Sequence, residues 1–364
     1  MNAKKRIKVL VIDDSAVMRK LLTSIMHEQA DIQVVGAAAN PLVAREMIKT
    51  FKPDVLTLDI EMPCMDGITF LERLMRLHPL PVVMVSSHTE KGAHSTLRAL
   101  DLGAVDFVTK PQNTFDGISS DLMEEICEKV RAAAGAHVRP SVDVIASDIQ
   151  HHKHSPVSPF CREGIIAIGA SAGGTQAISE ILEKLPRPTP GIAIVQHMPP
   201  KFTASFAERL NNHCDLEVRE AKNGDPLKPG VALVAPGGLH MSITSASRGY
   251  AVRIYSDELV NRHRPSVDVL FDSVARVVGE NALGIILTGM GSDGARGLHA
   301  MKTAGAHTIA QDEKTCVVFG MPDQAIRHNA VCEILPLERI PDRIVDWASS
   351  NQRTDRNYSS DESP

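Results

Sequence analysis

The sequence predicts two α/β domains, each built on a parallel sheet, joined by a linker. Its 364 residues suggest two domains, at about 150 residues per domain. Apolar residues make up 43% of the chain and charged residues 23%, an ordinary globular composition that excludes wholesale disorder. Short apolar runs alternate with helical patterns on both sides of a segment rich in Pro, Ser and His. Such alternation is typical of parallel sheets covered by helices.

The strands of both sheets can be placed from their apolar runs. In the first domain they are predicted at 8–12, 33–37, 55–58, 81–85 and 106–108. In the second domain they are predicted at 165–168, 192–195, 231–234, 283–287 and 307–310. The Pro-rich segment between the domains lacks periodicity and is predicted to be a linker, and the polar C-terminal tail is predicted to be disordered.

Charge and composition exclude several classes of function. The 39 Lys and Arg against 44 Asp and Glu give a formal net charge of −5, and aromatic residues are only 4%, so no nucleic-acid-binding surface is expected. The apolar run 9–12 is too short for a signal peptide, and no run approaches a membrane span, which indicates a cytoplasmic protein without membrane insertion. The six cysteines form no Cys-x-x-Cys pair, which argues against a zinc or disulfide framework.

Polar side chains follow four predicted strands of the first sheet. Asp13 and Asp14 follow the first strand, Asp59 the third, Ser86 the fourth and Lys110 the fifth. Functional groups collect at the carboxyl ends of parallel strands, so these side chains are expected to meet. Three carboxylates near one lysine suit Mg²⁺, and such a site can support formation of an acyl phosphate. Taken singly, each Asp is more often a turn residue or a helix cap.

The strings VLVIDDS, LTLDIEMPCMDG, VVMVSS and DFVTKP carry these residues. Through them, residues 6–130 resemble the receiver domains of two-component response regulators. The resemblance implies a flavodoxin-like fold, a histidine kinase as phosphodonor, Mg²⁺ for the phosphorylation step, and Asp59 as the phosphoacceptor. The other implied roles are the acid pocket for Asp13 and Asp14, a metal-binding backbone carbonyl for Glu61, a phosphate contact for Lys110, and the switch pair for Ser86 and Phe107. It also implies a cis bond between Lys110 and Pro111.

A glycine-rich string, GASAGG at 169–174, follows the first strand of the second domain and precedes a helical pattern. It contains G-x-S-x-G, the strand-turn-helix context of a nucleophile elbow, which would expose the Ser171 hydroxyl. A dinucleotide-binding turn is the alternative. The spacing of the glycines and the Gln196–His197 pair after the next strand, where a ribose-binding acid is expected, weaken that alternative.

Position at strand ends selects two partners for Ser171. His197 follows the second predicted strand, and Asp293 lies in the loop TGMGSDG after the strand at 283–287. The carboxyl ends of neighbouring strands lie together, so a Ser-His-Asp triad is predicted, in an order unlike that of α/β-hydrolases. A structural histidine and a turn aspartate are the alternatives, and Asp268 and Asp312 are the rival carboxylates.

A second resemblance covers residues 164 to about 346. The strings AIGASAGG, VQHMPPKFTASFAERLN, APGGLHM, HRPSVDVLF, LTGMGSDGA and CVVFGMP are similar to the catalytic domain of the chemotaxis-response methylesterase family. The resemblance implies a doubly wound α/β domain that hydrolyses glutamate methyl esters and deamidates glutamines on chemotaxis receptors, without a cofactor for hydrolysis. It assigns Ser171, His197 and Asp293 as nucleophile, base and acid, and the backbone of Met290 as oxyanion donor. Ala172 departs from the threonine common in the family.

Together the two resemblances predict a receiver domain at 6–130, a flexible linker at 131–160, a methylesterase domain at 161–348 and a disordered tail at 349–364. They imply hydrolysis activated by phosphorylation, with the unphosphorylated receiver covering the catalytic face. The alternative is a phosphorylation-controlled binding or regulatory protein without catalysis. A near-neutral second domain lacks the basic helix-turn-helix that a DNA-binding version would carry.

Overall fold

A computed structural model describes residues 6–63, 65–87, 89–111, 120–138 and 164–349. The chain divides into two compact units, Met1–Ile149 and Gln150–Pro364. Most of the predicted linker, from residue 139 onward, and the predicted tail from residue 350 onward lie outside the described residues. No described helix is long and apolar enough to cross a membrane.

The first unit alternates five strands with five helices. Its elements are β1 Ile7–Ile12, α1 Ala16–His27, β2 Ile32–Ala38, α2 Pro41–Phe51, β3 Val55–Asp59, α3 Gly67–Leu77, β4 Val82–Ser86, α4 Glu90–Asp101, β5 Asp106–Thr109 and α5 Ser120–Ala134. The five predicted strands are all present. β3 and β4 are buried along their whole length, which explains why they read as continuous apolar runs in the sequence.

The first sheet is entirely parallel and has the order β2-β1-β3-β4-β5. The chain winds outward from β1 to β2 and then returns to β3 on the other side, so the strand order reverses between β1 and β3. A crevice forms at such a reversal point. Side chains of Ser15, Asn40, Asp66 and Thr89 cap the helices that follow these strands and keep the connections short.

The last helix of the first unit extends beyond the predicted domain boundary at 130. α5 continues to Ala134, because Val130 and Ala133 still lie on its buried face. The first four residues of the predicted linker therefore belong to this helix. At the other end of the chain the last helix ends at Ser349, one residue past the predicted end of the second domain.

The second unit contains two sheets. Its elements are β6 Ile165–Ala170, α6 Gly174–Leu182, β7 Gly191–Gln196, α7 Phe202–His213, β8 Glu217–Glu220, β9 Pro226–Leu227, β10 Val231–Val234, β11 His240–Ser245, β12 Tyr250–Tyr255, α8 Val267–Val277, β13 Ala282–Ile286, α9 Ala295–Thr303, β14 His307–Gln311, α10 Met321–Arg327, β15 Glu333–Leu335 and α11 Ile340–Ser349. Short 3₁₀ turns lie at Gly279–Asn281 and Leu337–Arg339.

The larger sheet is parallel throughout, with the order β15-β14-β13-β6-β7-β10-β8. The chain builds one half from β6 through β7 to the edge strand β8 and returns to β10 between them, and it then builds the other half outward from β13 to β15. The strand order therefore reverses between β6 and β13, and the crevice of this doubly wound sheet opens at their carboxyl ends. The central strands β6, β7 and β13 are buried at every position.

The smaller sheet was not predicted from the sequence. β11 pairs with β12, and β12 pairs with β9, both in antiparallel register. The apolar side chains of Met241, Ile243 and Val252 join the core of the unit, while polar residues alternate with them along the strands. This half-buried hairpin packs beside α8.

Candidate active site and acidic pocket

An acidic pocket lies at the reversal point of the first sheet. Asp13 follows β1 and Asp59 ends β3, and both side chains are fully buried, whereas Asp14 is exposed. One carboxylate oxygen from each of these three residues lies within 4.8 Å of the others. The pocket therefore brings together the three carboxylates that the strand-end pattern predicts.

The charges in this pocket are only partly compensated. Lys110 Nζ lies 2.8 Å from Asp59 Oδ1 and 3.7 Å from Asp13 Oδ2. Burial, reinforced by the charge of Asp59, raises the pKa of Asp13 to about 6, and burial also raises the pKa of Asp59. Within the described residues, Asp13 Oδ2 and Asp59 Oδ2 are buried and accept no hydrogen bond. Buried carboxylate oxygens without donors fit a hard divalent cation such as Mg²⁺.

Glu61 borders the pocket through its backbone. Its N–H donates to Asp59 Oδ1 at 3.2 Å, which fixes the start of the loop after β3. Metal binding by the carbonyl of Glu61, which the resemblance implies, is not tested by this contact and stays a prediction.

The Ser86 hydroxyl and the Phe107 ring are both buried on neighbouring strands, β4 and β5. The Thr96 hydroxyl donates to Ser86 Oγ at 2.6 Å, and Ser86 in turn donates to the carbonyl of Gly92 at 3.3 Å. In this structure Ser86 is thus bonded to α4 rather than to the Asp59 carboxylate. Lys129 Nζ lies 5.1 Å from the centroid of the Phe107 ring.

The prediction of a cis peptide bond between Lys110 and Pro111 is wrong. Both residues belong to the described part of the chain. The cis peptide bond in that part of the chain joins Arg264 to Pro265. Lys110 nevertheless reaches Asp59, because its N–H is anchored to the carbonyl of Ser86 at 2.7 Å, where β5 leaves the sheet.

A tight turn follows β6 in the second unit and carries Ser171. The N–H of Gly174 donates to the Ser171 carbonyl at 2.8 Å, and α6 begins at that glycine. Gly173 has a φ of 74°, and a Cβ there would lie 2.6 Å from the Val317 side chain. Glycine is therefore required for the turn, which has the strand-turn-helix form of a nucleophile elbow.

His197 follows the neighbouring strand β7 and lies beside this turn. Ala170 and Gln196 are register partners, the N–H of His197 donates to the Ala170 carbonyl at 3.1 Å, and the Gln196 amide donates to the Ser171 carbonyl at 2.9 Å. The backbones of Ser171 and His197 are thus joined side by side. The described residues show no hydrogen bond between the Ser171 hydroxyl and the His197 ring, a contact that is often formed only in the substrate complex.

Asp293 comes from the loop after β13 and binds His197 directly. His197 Nε2 lies 2.8 Å from Asp293 Oδ2, with the two side chains only 7% and 1% exposed. Burial alone would raise the pKa of Asp293, but hydrogen bonds from His197, Asn261 and Val267 hold this pKa well below its usual range. These donors include the Asn261 amide at 2.7 Å and the N–H of Val267 at 2.7 Å. The Ser266 hydroxyl also donates to this carboxylate, at 2.8 Å.

The charged Asp293 selects one tautomer of His197. With Asp293 accepting at Nε2, the ring proton lies on that nitrogen, and Nδ1 keeps its lone pair. His197 Nδ1 is buried and has no hydrogen-bond partner in the described part of the chain. The ring can therefore accept a proton at Nδ1, on the side opposite the acid.

The segment Thr288–Gly289–Met290 lies against the nucleophile turn. The N–H of Ser171 donates to the Thr288 carbonyl at 3.0 Å, and a Cβ on Gly289 would lie 2.8 Å from the Cβ of Ser171. Across the described ranges, the N–H of Met290 is donated to no acceptor. A free backbone donor beside the nucleophile is what an oxyanion site requires.

The rival carboxylates lie in other surroundings. Asp268 accepts from the N–H groups of Gly294 and Gly297 at 3.1 and 2.7 Å, and Asp312 Oδ1 accepts from Thr315. In the described part of the chain, neither carboxylate is hydrogen-bonded to His197.

The sequence analysis missed the loop at 260–268, which supplies most of the partners of Asp293. It leads into α8 and does not follow a strand of the large sheet, so a search at strand ends does not find it. Asn261 and Arg262 have φ values of 51° and 66°, a conformation that costs a residue such as arginine roughly 1–2 kcal/mol. The ring of His263 stacks on His197 with a centroid distance of 3.7 Å and an angle of 9° between the planes.

Nitrogen atoms of His197 and His263 and an oxygen of Asp293 lie within 4.8 Å of one another. The in-plane lone pairs of the two stacked rings lie in nearly parallel planes, and Asp293 already accepts hydrogen bonds from His197, Asn261, Ser266, Val267 and Asp268. A transition metal needs lone pairs that converge on it. The arrangement is therefore suited to proton transfer.

Two family models match the chain, one described as CheB methylesterase over residues 166–344 and one as response regulator receiver domain over residues 9–119. A protein-glutamate methylesterase/protein-glutamine glutaminase of Albidiferax ferrireducens is 52% identical over 360 residues, which cover 97% of this chain and 96% of the relative. A protein of the same description from Escherichia coli K12 is 51% identical, with 95% and 98% covered.

Among solved structures, the Thermotoga maritima CheB methylesterase catalytic domain is 38% identical and covers 50% of this chain and 97% of its own, with a TM-score of 0.49. The response regulator domain of Thermotoga maritima CheB is 46% identical and covers 36% and 99%, with a TM-score of 0.33.

Proposed function

The chain belongs to the CheB methylesterase family and carries a response regulator receiver domain, and from this premise we propose that Ser171, His197 and Asp293 hydrolyse glutamate methyl esters and deamidate glutamines on chemotaxis receptors. The observation that carries the proposal is the pairing of His197 with Asp293 beside the turn of Ser171. This pairing leaves His197 Nδ1 available to accept a proton and places the negatively charged Asp293 at Nε2 of the same ring.

The proposed reaction proceeds in two halves. The Ser171 oxygen attacks the ester carbonyl while its proton passes to His197 Nδ1, and the N–H of Met290 donates to the resulting oxyanion. The bond to the methoxy group then breaks, and the proton on Nδ1 goes to the departing oxygen to give methanol. A water molecule next gives a proton to Nδ1 and attacks the acyl carbon, and as the bond to the Ser171 oxygen breaks, Nδ1 returns the proton to that oxygen, which releases glutamate and restores the Ser171 hydroxyl. With a glutamine substrate, ammonia takes the place of methanol.

Methanol release from methylated receptor membranes tests the nucleophile. Ser171→Ala should lower turnover by a factor on the order of 10⁶, because removing one member of a triad disables the whole unit. Ser179→Ala is a matched control, because this serine lies on α6, the helix that follows the turn, and its hydroxyl donates to the carbonyl of Thr175. A serine-directed fluorophosphonate should label the wild type and the control but not Ser171→Ala. If Ser171→Ala stays active, the proposed triad is wrong, whereas a wild type that releases no methanol would support the non-catalytic alternative.

We also propose that a histidine kinase phosphorylates Asp59 and thereby activates hydrolysis. Asp13, Asp14 and Asp59 would hold Mg²⁺, with the backbone carbonyl of Glu61, and the ion would neutralise charge on the incoming phosphoryl group. The buried oxygens of Asp13 and Asp59 that accept no hydrogen bond support this assignment. Lys110, whose Nζ lies 2.8 Å from Asp59 Oδ1, would contact the phosphate. The added negative charge would attract the Ser86 hydroxyl, which accepts a hydrogen bond from Thr96 in this structure.

A small phosphodonor with Mg²⁺ tests this control. Methanol release should rise in the wild type and in Asp101→Asn, a control on the exposed end of α4, but not in Asp59→Asn. Chelation of Mg²⁺ should abolish the rise in all proteins. Activation of Asp59→Asn to the wild-type level would reject Asp59 as the phosphoacceptor.

A further inference from the structure

The loop before α8 contains a reverse turn made by four residues. Val260 and His263 exchange both backbone hydrogen bonds, at 3.2 and 2.9 Å, and the two residues between them, Asn261 and Arg262, both have positive φ. Asparagine is one of the residues that accept this conformation most readily, whereas arginine does not share that preference. Strained residues persist only where surrounding contacts hold them, and they cluster at functional sites.

Asn261, the first of these two residues, is held by two carboxylates. The Asn261 amide donates to Asp293 Oδ1 at 2.7 Å and to Asp268 Oδ2 at 2.8 Å. Asp268 is in turn fixed by the N–H groups of Gly294 and Gly297, at the start of α9. The turn is therefore anchored to the same loop that presents the catalytic acid.

The last residue of the turn contacts the general base. The His263 ring lies parallel to the His197 ring at a centroid distance of 3.7 Å. Its own orientation is set from within the turn, because His263 Nδ1 donates to the carbonyl of Asn261 at 2.6 Å. The stacked face is thus held by the backbone that also carries the Asn261 amide.

A hydrogen bond at one edge of a ring does not fix the plane of that ring. Asp293 holds His197 at Nε2, and Nδ1 has no partner in the described residues, so a small rotation about the Cβ–Cγ bond would tilt the ring and move Nδ1. A second flat ring packed against the face of His197 removes that freedom. Misplacement of a reacting group by about 1 Å can cost a factor of about 100 in rate.

We propose that His263 is a positioning residue for the general base, and that the turn at 260–263 sets the acid through Asn261 and the base through His263. This inference rests on the proposed Ser-His-Asp triad. One short element would then align two of the three catalytic side chains. His263 itself takes no proton from the substrate in this scheme, because its role is the flat contact with His197.

The test compares substitutions that keep or remove the flat ring, in the full-length protein. His263→Ala should lower kcat for methanol release by about 10- to 100-fold with little change in KM, because misalignment of the base affects only the chemical step. His263→Phe should restore most of the lost kcat, because it keeps a planar ring. His299→Ala, an exposed histidine on α9, should behave as the wild type. The rate of Ser171 labelling by a fluorophosphonate should follow the same order.

Asn261→Gly provides the second arm. Glycine accepts the positive φ of this position without strain, so the turn is kept while the amide that binds Asp293 is lost. It should lower kcat as His263→Ala does, and melting temperatures should show that all variants are folded.

Two results would overturn the inference, namely wild-type kcat in folded His263→Ala, or a loss in His263→Phe as large as in His263→Ala. The second result would assign the effect to the polar contact of His263 and not to stacking. A fully active Ser171→Ala protein would instead overturn the triad itself, so the two failures can be told apart.

Discussion

At the scale of single residues, the proposed catalytic acid Asp293 is held by several hydrogen-bond donors. Asp293 accepts hydrogen bonds from Asn261, Ser266 and Val267 as well as from His197. Asp293→Asn would place an amide NH₂ against these donors and would favour the wrong tautomer of His197. We expect turnover to fall by about 10⁴, as in the related serine-hydrolase arrangement.

Methanol release by Asp293→Asn measures this effect, and Asp272→Asn, which changes a partly exposed carboxylate on α8, is its control. If Asp268→Asn proved far more damaging than Asp293→Asn, the acid would have been assigned to the wrong residue. Because the pKa of Asp293 is held well below its usual range, acid should not inactivate the enzyme through this group under ordinary assay conditions.

Asp13 should make the stability of the first unit depend on pH. Its pKa is raised from 3.8 to about 6, so folding favours the protonated form. The contribution of this group to the free energy of unfolding is full below pH 3.8 and is lost as pH rises through about 6. Asp13→Asn, which resembles the protonated acid, should therefore raise the melting temperature more above pH 6 than below it.

Calorimetry in the presence of a chelator measures this difference in melting temperature. A separate scan with added Mg²⁺ identifies the unfolding transition of the receiver unit as the one that shifts. Asp14→Asn changes the neighbouring exposed carboxylate and should have a smaller effect. An equal shift for Asp13→Asn on both sides of pH 6 would contradict the assignment.

At the scale of elements, the segment between β13 and α9 should tolerate little change. A Cβ on Gly289 would lie 2.8 Å from the Cβ of Ser171 and 2.4 Å from the Met321 sulfur. Gly289→Ala must therefore push the segment away from the nucleophile and carry the N–H of Met290 with it. Loss of an oxyanion donor lowers kcat by roughly 10²–10³. Single-turnover release of methanol would measure the loss, while phosphorylation of Asp59 should continue unchanged.

All ten strands predicted from the sequence are present, because strands buried on both faces read as continuous apolar runs. The strands that were missed are short or polar at one face, such as Glu217–Glu220 at an edge and the hairpin of β11 and β12. The strand-end rule found Ser171, His197 and Asp293, since a parallel sheet brings such ends together. It could not find Asn261 or His263, because their positions depend on a strained turn outside the large sheet.

At the scale of the whole molecule, the two resemblances drawn from sequence motifs are confirmed by the family matches over both domains. The proposed link between the domains leads to one prediction. A fragment that begins near residue 160 should hydrolyse receptor methyl esters faster than the unphosphorylated full-length protein, if the receiver restrains the catalytic domain. Asp59→Asn should keep the full-length protein at its low basal rate.

Methylated receptor membranes serve as substrate for both proteins, with equal labelling by a fluorophosphonate as the measure of intact active sites. A fragment no faster than its unphosphorylated parent would contradict restraint, and phosphorylation would then have to stimulate the catalytic domain directly.

The hydrogen atom shared by His197 and Asp293 lies between side chains that are 7% and 1% exposed, with the His263 ring over one face. Because both side chains are nearly buried, we expect the exchange of this hydrogen with solvent deuterium to be slow and to become faster when the turn at 260–263 opens. The rate of that exchange then measures how often the turn opens. A single imidazole proton thereby reports the local stability of the whole loop that precedes α8.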